Sequence, residues 1–287
     1  MKLNSAELIL NPDGSVYHLH LRPEQVAPLI FLVGDQDRVP KVSRYFDAVE
    51  FKVRKREFVT HTGRIGHTRL SVISTGIGTD NIDIVLNEVD ALFNIDLENR
   101  QVRAQHTAVR FIRLGTAGSL LPEAPVDSVA VSAAGLGIDG LLHFYHAPHQ
   151  TAHPAIEALR AHVGPVWDFP VKPYFVEADP ELLKQWGNIG LSGITASNPG
   201  FYGPQGRQLR APVALPQYLD LLQGFRFNNL PLLNLEMETA AIYGLCRLLG
   251  HQALSLSAIL ANRPAGTFSK DPARAVRRLI EAALERI

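Results

Sequence analysis

The chain has 287 residues, 46% of them hydrophobic, and its 28 basic side chains are balanced by 28 acidic ones. That length is ample for a buried core, and the even charge with no basic stripe excludes a nucleic-acid binder. No apolar run approaches the ~20 residues of a membrane span, residues 1–10 lack a signal-peptide pattern, and the single Cys246 excludes an internal disulfide, so a soluble protein of the reducing cytoplasm is expected.

Residues 16–21 read as a short extended segment with His18 and His20 on one side of the alternation. Residues 29–33 (LIFLV) read as a buried strand that ends in Gly34-Asp35-Gln36-Asp37-Arg38, with a helix over 39–46. Strands are expected over 58–62 and 68–74, joined by a turn at Gly63 and Gly66. The second leads into Ser74-Thr75-Gly76-Ile77-Gly78 and then a helix with Ile82, Val85, Leu86, Val89, Leu92 and Phe93 on one face.

Residues 94–106 are polar and weakly patterned, which suits a surface excursion. A strand over 109–114 ends in Arg113-Leu114-Gly115-Thr116-Ala117-Gly118, and another spans 127–134. A helix over 153–162 and a strand over 188–197 precede a loop, 198–212, too rich in Gly and Pro for regular structure. Strands over 230–235 and 253–260 flank a helix, 240–249, stopped by Gly250, and an amphipathic helix over 271–287 closes the chain. Cys246 falls inside the apolar 240–249 helix and reads as a buried structural thiol. Continuous apolar strands alternating with helices point to an α/β fold, a mixed and partly parallel sheet flanked by helices. No repeat or linker divides the chain, so residues 1–287 are read as one domain.

Ligands of open α/β sheets gather beyond the carboxyl ends of strands. Three strands here end in Gly-rich turns, at Gly34, Gly76/Gly78 and Gly115/Gly118. Arg38 and Arg113 accompany two of them, and Arg113 interrupts an apolar strand, where a guanidinium needs an acid or an anionic ligand. A bidentate Arg fork suits phosphate, although a structural ion pair would suit either Arg alone. In Phe201-Tyr202-Gly203-Pro204-Gln205-Gly206-Arg207, Gln205 offers a donor and an acceptor and Arg207 only donors. A planar heterocycle would satisfy both, with Phe201 as an aromatic face. Glu236-Met237-Glu238 precedes the 240–249 helix, and Glu238 shares the face of Ala241 and Leu245. A carboxylate there needs hydrogen-bond donors, although two Glu in a first turn would also suit the helix dipole.

Two patterns mislead. Gly135-Leu-Gly137-Ile-Asp-Gly140 matches a dinucleotide fingerprint, but no good helix follows it. His143, His146, His149 and His153 have metal-like spacing without a Cys, broken by Pro148 and Pro154, and read as a surface loop rather than a metal site.

Several patches in order together resemble the nucleoside phosphorylase family, in its uridine phosphorylase branch, from His18 to Ile287. They are Gly34-Asp35-x-Asp37-Arg38-Val39, Arg56-Glu57-Phe58, Ser74-Thr75-Gly76-Ile77-Gly78, Arg113-x-Gly115-Thr116-x-Gly118, Phe201-Tyr202-x-x-Gln205-x-Arg207, Glu236-Met237-Glu238 and Asn262-Arg263. The resemblance implies attack of inorganic phosphate on a nucleoside, releasing free base and ribose 1-phosphate. It implies phosphate binding by Gly34, Arg38, Arg56, Arg113 and Thr116, and ribose binding by His18, Thr116, Met237 and Glu238. The base would fall to Phe201, Gln205, Arg207 and Glu236, with Arg113, Glu238, Arg207 and Gln205 as the catalytic set. His18 and Arg56 would reach into a neighbouring subunit, which implies a homo-oligomer with sites shared across a dimer, either a dimer or a trimer of dimers.

Phosphate is then the co-substrate, with no cofactor and no metal. Asn81 in place of a Ser argues against a potassium site using Glu57. Asn262-Arg263, without the Asp of purine-cleaving relatives, points to a pyrimidine. Gln36 for Pro, Ala117 for a hydroxyl residue, the long 94–106 stretch and the short segment after Arg263 depart from the family pattern. The alternatives are a purine nucleoside phosphorylase, a nucleosidase on the same fold, or a non-catalytic nucleoside-binding protein.

Overall fold

Five consecutive apolar side chains, all buried, make Leu29–Val33 the first strand, β1, as the run of hydrophobics requires. The computed structural model describes residues 2–164 and 171–287. After β1 come α1 (Val39–Ser43), β2 (Ala48–Lys55), β3 (Phe58–Ile65), β4 (Thr68–Ser74) and α2 (Thr79–Asn94). A small ribbon, β5 (Ile95–Asp96) with β6 (Gln101–Val102), occupies the polar excursion. Then follow β7 (Arg110–Ser119), β8 (Val129–Gly137), α3 (Pro148–Thr151), α4 (Pro154–Val163), β9 (Tyr174–Glu177), α5 (Pro180–Trp186) and β10 (Leu191–Ser197). The chain ends with α6 (Tyr218–Leu222), β11 (Arg226–Phe227), β12 (Leu230–Glu236), α7 (Thr239–Leu249), β13 (Gln252–Asn262), β14 (Thr267–Phe268) and α8 (Pro272–Leu284).

The main sheet is mixed, with strand order β11-β12-β10-β8-β13-β7-β1-β4-β3-β2. β1 lies parallel between β4 and β7, and β7 is parallel to β13. β8, β10 and β12 form a second parallel set, joined to the first where β13 meets β8 antiparallel. The end of β12 also pairs with the end of β7, Asn234 with Ser119 and Leu235 with Gly118. Strands β7, β13, β8, β10 and β12 therefore close on themselves, and β1, β4, β3 and β2 extend from them as an open wing. The sheet is open only in that wing. Helix α7 packs on β8, β10 and β13, and α8 on β13 and β7.

Glycine accounts for the main errors of boundary. The expected turn at Gly63 does not exist: Gly63 sits inside β3, where a Cβ would meet the Ala48 carbonyl oxygen at 2.1 Å. Only Gly66, with φ +55°, makes the turn. Likewise β7 does not end at Leu114 but runs on through Gly115 and Gly118 to Ser119. Gly135 and Gly137 lie within β8, so the dinucleotide-like spacing is strand, not phosphate loop. The helix expected over 39–46 stops at Ser43. Strand β9 and helix α5 escaped the pattern reading, although Asp179 caps α5 and Pro180 opens it, both ordinary start signals.

Candidate active site

A cavity of about 770 Å³ opens where β1, β4 and β12 end and where the glycine-bearing half of β7 passes β13. Gly34, Arg38, Arg113, Thr116, Phe201, Gln205, Arg207, Glu236, Met237 and Glu238 all line it. Residues from both ends of the sequence thus converge on one space because the closed strand set brings β12 against β7.

Arg113 is the centre of this space. Its side chain leaves β7 and folds back over Gly115, where a Cβ would sit 1.8 Å from Nη1. Any larger residue at 115 would displace the guanidinium. Arg113 Nη2 lies 2.5 Å from Glu238 Oε2 and 3.2 Å from Glu236 Oε2. Nη1 donates to Ser257 Oγ at 3.3 Å. Burial alone would depress the Arg113 guanidinium, but Glu236 and Glu238 outweigh it and hold it above its ordinary value. Burial pushes the Glu238 carboxyl up, and the Glu236 charge adds to this, against the lowering pull of Arg113 and the Gly78 amide. The ion pair alone would lower a carboxyl; here removal from water wins, because two acids share one cation.

The two carboxylates differ in their commitments. Glu236 accepts from Ser197 Oγ at 2.6 Å, from the Glu238 amide at 2.9 Å and from the Thr239 amide at 3.0 Å. It therefore satisfies the free amides at the start of α7, where a negative charge is favoured. Glu238 Oε1 accepts from the Gly78 amide at 2.7 Å, at the start of α2, and Oε2 from Arg113. An ionised carboxylate has about four acceptor sites, so Glu238 keeps capacity for two more donors in the cavity.

At the β1 end, Arg38 donates from Nη1 to the Leu114 carbonyl at 2.9 Å, which aims it along β7 toward Arg113. Burial and the neighbouring Arg113 charge push its guanidinium below the ordinary value. Gly34, Gly76, Ile77 and Asn81 complete this end. Asn81 fills the space beside Gly76, where a Cβ would lie 2.4 Å from its Nδ2, and Glu57 also faces the cavity here.

At the opposite end, Gln205 is buried and Arg207 lies over the Phe201 ring at 3.9 Å. Arg207 Nη1 donates to Gln205 Oε1 at 2.7 Å and to the Phe201 carbonyl at 2.6 Å. That leaves the Gln205 amide nitrogen and the remaining Arg207 donors for a ligand. Arg263 braces the loop by donating to the Gln205 carbonyl at 3.2 Å. Burial, with the Arg263 charge second, pushes Arg207 down to about 10. Among the described residues neither Arg207 nor Arg263 has an acid partner, so this end carries unbalanced positive charge. Gly118 lies beside both side chains: a Cβ there would make ordinary contact, 3.8 Å from Arg207 Nη2 and 3.7 Å from Arg263 Cγ.

His18 and Arg56 stand apart from the cavity. His18 Nδ1 lies 2.6 Å from Glu88 Oε1, and the Glu88 carboxylate also accepts the His18 and Leu19 amides. Arg56 is exposed at a turn, with φ +54° and its guanidinium 5.8 Å from the Tyr17 ring centroid. Phe268, Leu260 and Ala261 line the cavity without having been singled out in the sequence. Of these, Phe268 left a trace: an aromatic in the polar run Thr267-Phe268-Ser269-Lys270, just past Asn262-Arg263.

The histidine-rich loop is used locally. His143 Nε2 meets the Lys172 carbonyl at 2.8 Å, and His153 Nε2 meets Glu177 at 2.9 Å. Among the described residues, Asp90, His106 and His251 are the only group close enough to share an ion. His251 Nδ1, however, accepts the Val109 amide, which leaves its proton on Nε2, 3.2 Å from Asp90 Oδ1. That contact is not a hydrogen bond, and Nε2 remains a buried atom without a hydrogen-bond partner among the described residues. Burial pushes the Cys246 thiol well up, which leaves it inert. No helix of the described residues is long and apolar enough to cross a membrane.

Residues 28–287 match the family model described as the phosphorylase superfamily. The uridine phosphorylase of Thermococcus kodakarensis is 30% identical over 272 residues, 94% of this chain and 85% of its own. That of Escherichia coli is 28% identical over 280 residues, 94% and 97% of the two chains. Among solved structures, a Trypanosoma brucei nucleoside phosphorylase described as showing uridine phosphorylase activity superposes with a TM-score of 0.88. It has 30% identity to this chain and covers 97% of it and 98% of its own.

Proposed function

We propose that this chain, which belongs to the phosphorylase superfamily, cleaves uridine with inorganic phosphate to uracil and ribose 1-phosphate. The observation that carries this reading is the order of groups along one cavity. Arg38 bonds the Leu114 carbonyl and Arg113 bonds Glu238, Arg207 with Gln205 stands further along β7 beside Gly118, and Thr116 and Met237 line the same space. That order matches phosphate, sugar and base.

A phosphate oxygen attacks C1′ as the bond from C1′ to the base nitrogen breaks, and the bonding electron pair leaves with the base. Arg38 and Arg113 orient the phosphate, and Thr116 and the turns at Gly34 and Gly76 supply further donors. The sugar gains positive charge, which the adjacent phosphate stabilises, so no protein nucleophile is required. Glu238 accepts hydrogen bonds from the ribose hydroxyls with its remaining lone pairs, which fixes the sugar under the attacking oxygen. The leaving base gains negative charge on its carbonyl oxygens. The Gln205 amide and Arg207 stabilise that charge as an oxyanion hole does. Glu236 acts at one remove by fixing the start of α7 and the charge of Arg113.

His18 and Arg56 lie outside the cavity of their own chain, and we assign them to the ribose and phosphate of a second copy in a homo-oligomer with shared sites. Residues 1–287 work as one domain, in the cytoplasm, with phosphate as co-substrate and no further cofactor or metal. Asn81 in place of a Ser argues against a potassium ion at Glu57.

Product analysis tests the reaction: uracil release from uridine should require added phosphate and yield ribose 1-phosphate. Equal release without phosphate would make the protein a nucleosidase, and faster turnover of inosine would make it a purine enzyme.

A further inference from the structure

Gln36 stands in the turn after β1 where the family pattern has Pro, and it lines the cavity beside Gly34, Asp35 and Arg38. A prolyl ring offers no donor, whereas a Gln side chain offers an NH2 group and an acceptor oxygen.

Which of the two faces the cavity is fixed from outside it. Arg54 is exposed on β2, the edge strand of the open wing, and its Nη2 donates to Gln36 Oε1 at 3.1 Å. A guanidinium only donates, so the Gln36 atom that meets it is the oxygen and the NH2 group takes the other position. Among the described residues nothing else bonds the Gln36 side chain. The turn itself is held by its own hydrogen bonds. The Arg38 amide donates to the Asp35 carbonyl at 2.9 Å, and Asp35 Oδ1 accepts the Asp37 amide at 2.9 Å. Gln36 and Arg38 thus belong to one fixed turn.

The charges at this end leave work for such a donor. Arg113 is shared by two carboxylates, and Asp35 and Glu57 face the same end. A phosphate dianion at Arg38 therefore meets less net positive charge than the two arginines suggest.

We propose that Gln36 is a phosphate-contacting residue, donating from Nε2 to a non-reacting phosphate oxygen, and that Arg54 is the positioning residue that holds the amide in that orientation. This rests on the phosphorolysis reading of the same cavity. The contact goes to an oxygen whose bonding does not change. It acts equally in ground and transition states, and so on the phosphate KM rather than kcat.

Gln36→Glu separates this role from a structural one. A carboxylate keeps the contact with Arg54 and strengthens it, but it turns an acceptor toward the phosphate. The test compares wild type with Gln36→Ala, Gln36→Glu and Arg54→Ala in phosphate KM and uridine KM, with thermal melts alongside. Gln36→Ala should raise the phosphate KM by about tenfold, and Gln36→Glu should raise it further. Arg54→Ala frees the amide to rotate and should raise it by about two- to threefold. The uridine KM at saturating phosphate and the melting temperature should not move, and kcat should change by less than about twofold. A phosphate KM like that of wild type in Gln36→Glu would overturn the proposal and leave Gln36 as an anchor for Arg54. Calorimetric titration with inorganic phosphate keeps the two readings apart. If wild type binds phosphate but releases base without it, phosphorolysis fails by itself, and the phosphate Kd of Gln36→Glu decides the role of Gln36 in the same way. If wild type binds no phosphate, both readings are overturned.

Discussion

Arg113 and Glu238, 125 residues apart in sequence, meet at 2.5 Å inside the chain, with Glu236 at 3.2 Å on the same guanidinium nitrogen. The buried core of the site is therefore one cation held by two acids. Arg113→Ala would leave both carboxylates buried without a counter-charge, which costs about 3–5 kcal/mol. From the sequence alone, Arg113→Ala should abolish phosphate-dependent turnover while the chain remains folded; this contact adds a loss of stability to that expectation. Arg113→Lys keeps a charge and loses the planar fork. It should melt well above Arg113→Ala and yet lose on the order of 10²-fold or more in kcat/KM. Near-normal turnover of Arg113→Lys, measured with and without phosphate, would remove Arg113 from the phosphate site.

Burial raises the Glu238 carboxyl above its ordinary value, and the sign of the consequence differs for activity and stability. The carboxylate must be ionised to accept the ribose hydroxyls, so turnover should fall as pH drops through the raised value. Between the ordinary carboxyl range and that raised value, the folded chain binds more protons at Glu238 than the unfolded chain does. The contribution of Glu238 to stability therefore decreases as pH rises across that window. Glu238→Gln should lose this acid limb of the kcat/KM profile along with most of the activity. Its stability should be less dependent on pH there than that of wild type, as followed by denaturant melts at several pH values. A retained acid limb in Glu238→Gln would assign it to another group.

Much of this site was legible because its residues break local rules. Arg113 inside an apolar strand and two Glu before an apolar helix each demand a partner, and the partners proved to be one another. Strand β1 was read to the residue because five buried apolar side chains leave no alternative. Glycine misled where it served side-chain space rather than turning. Gly115 makes room for Arg113 within an unbroken strand, and nothing in sequence distinguishes that from a turn. The closure of β12 onto β7 was not legible, since pairing between strands more than a hundred residues apart leaves no local period. Phe268 was missed for a related reason: its place depends on its register with Ala261.

Arg207 is half-buried, stacks on Phe201 and has no acid partner among the described residues. Its removal leaves no orphaned buried charge, only the buried Gln205 side-chain oxygen short of a donor, so Arg207→Ala should cost no more than about 1–3 kcal/mol of stability. Turnover is another matter. Losing one donor to a developing anion costs about 10²–10³ in kcat. The loss should be smaller for 5-fluorouridine, whose base leaves as a more stable anion. Parallel kcat measurements on uridine and 5-fluorouridine check this; equal losses on both would mean that Arg207 binds the base without stabilising its charge.

Arg56 projects from an exposed turn, and His18 is held against Glu88 on α2, both outside the cavity that contains Arg113. If a second copy supplies these groups, the two halves of a site can be disabled separately. Arg56→Ala and Arg113→Lys should each be nearly inactive alone. Co-expressed, a mixed two-fold dimer carries both defects at one site and neither at the other. Random pairing makes about half of the dimers mixed, so roughly a quarter of the sites should be intact. The same count applies to a trimer of dimers, because sites are shared only within each pair. Sedimentation of wild type should show at least a dimer, and the co-expressed sample should recover about a quarter of wild-type turnover. Activity no higher than the mean of the two separate variants would return Arg56 to a purely local role.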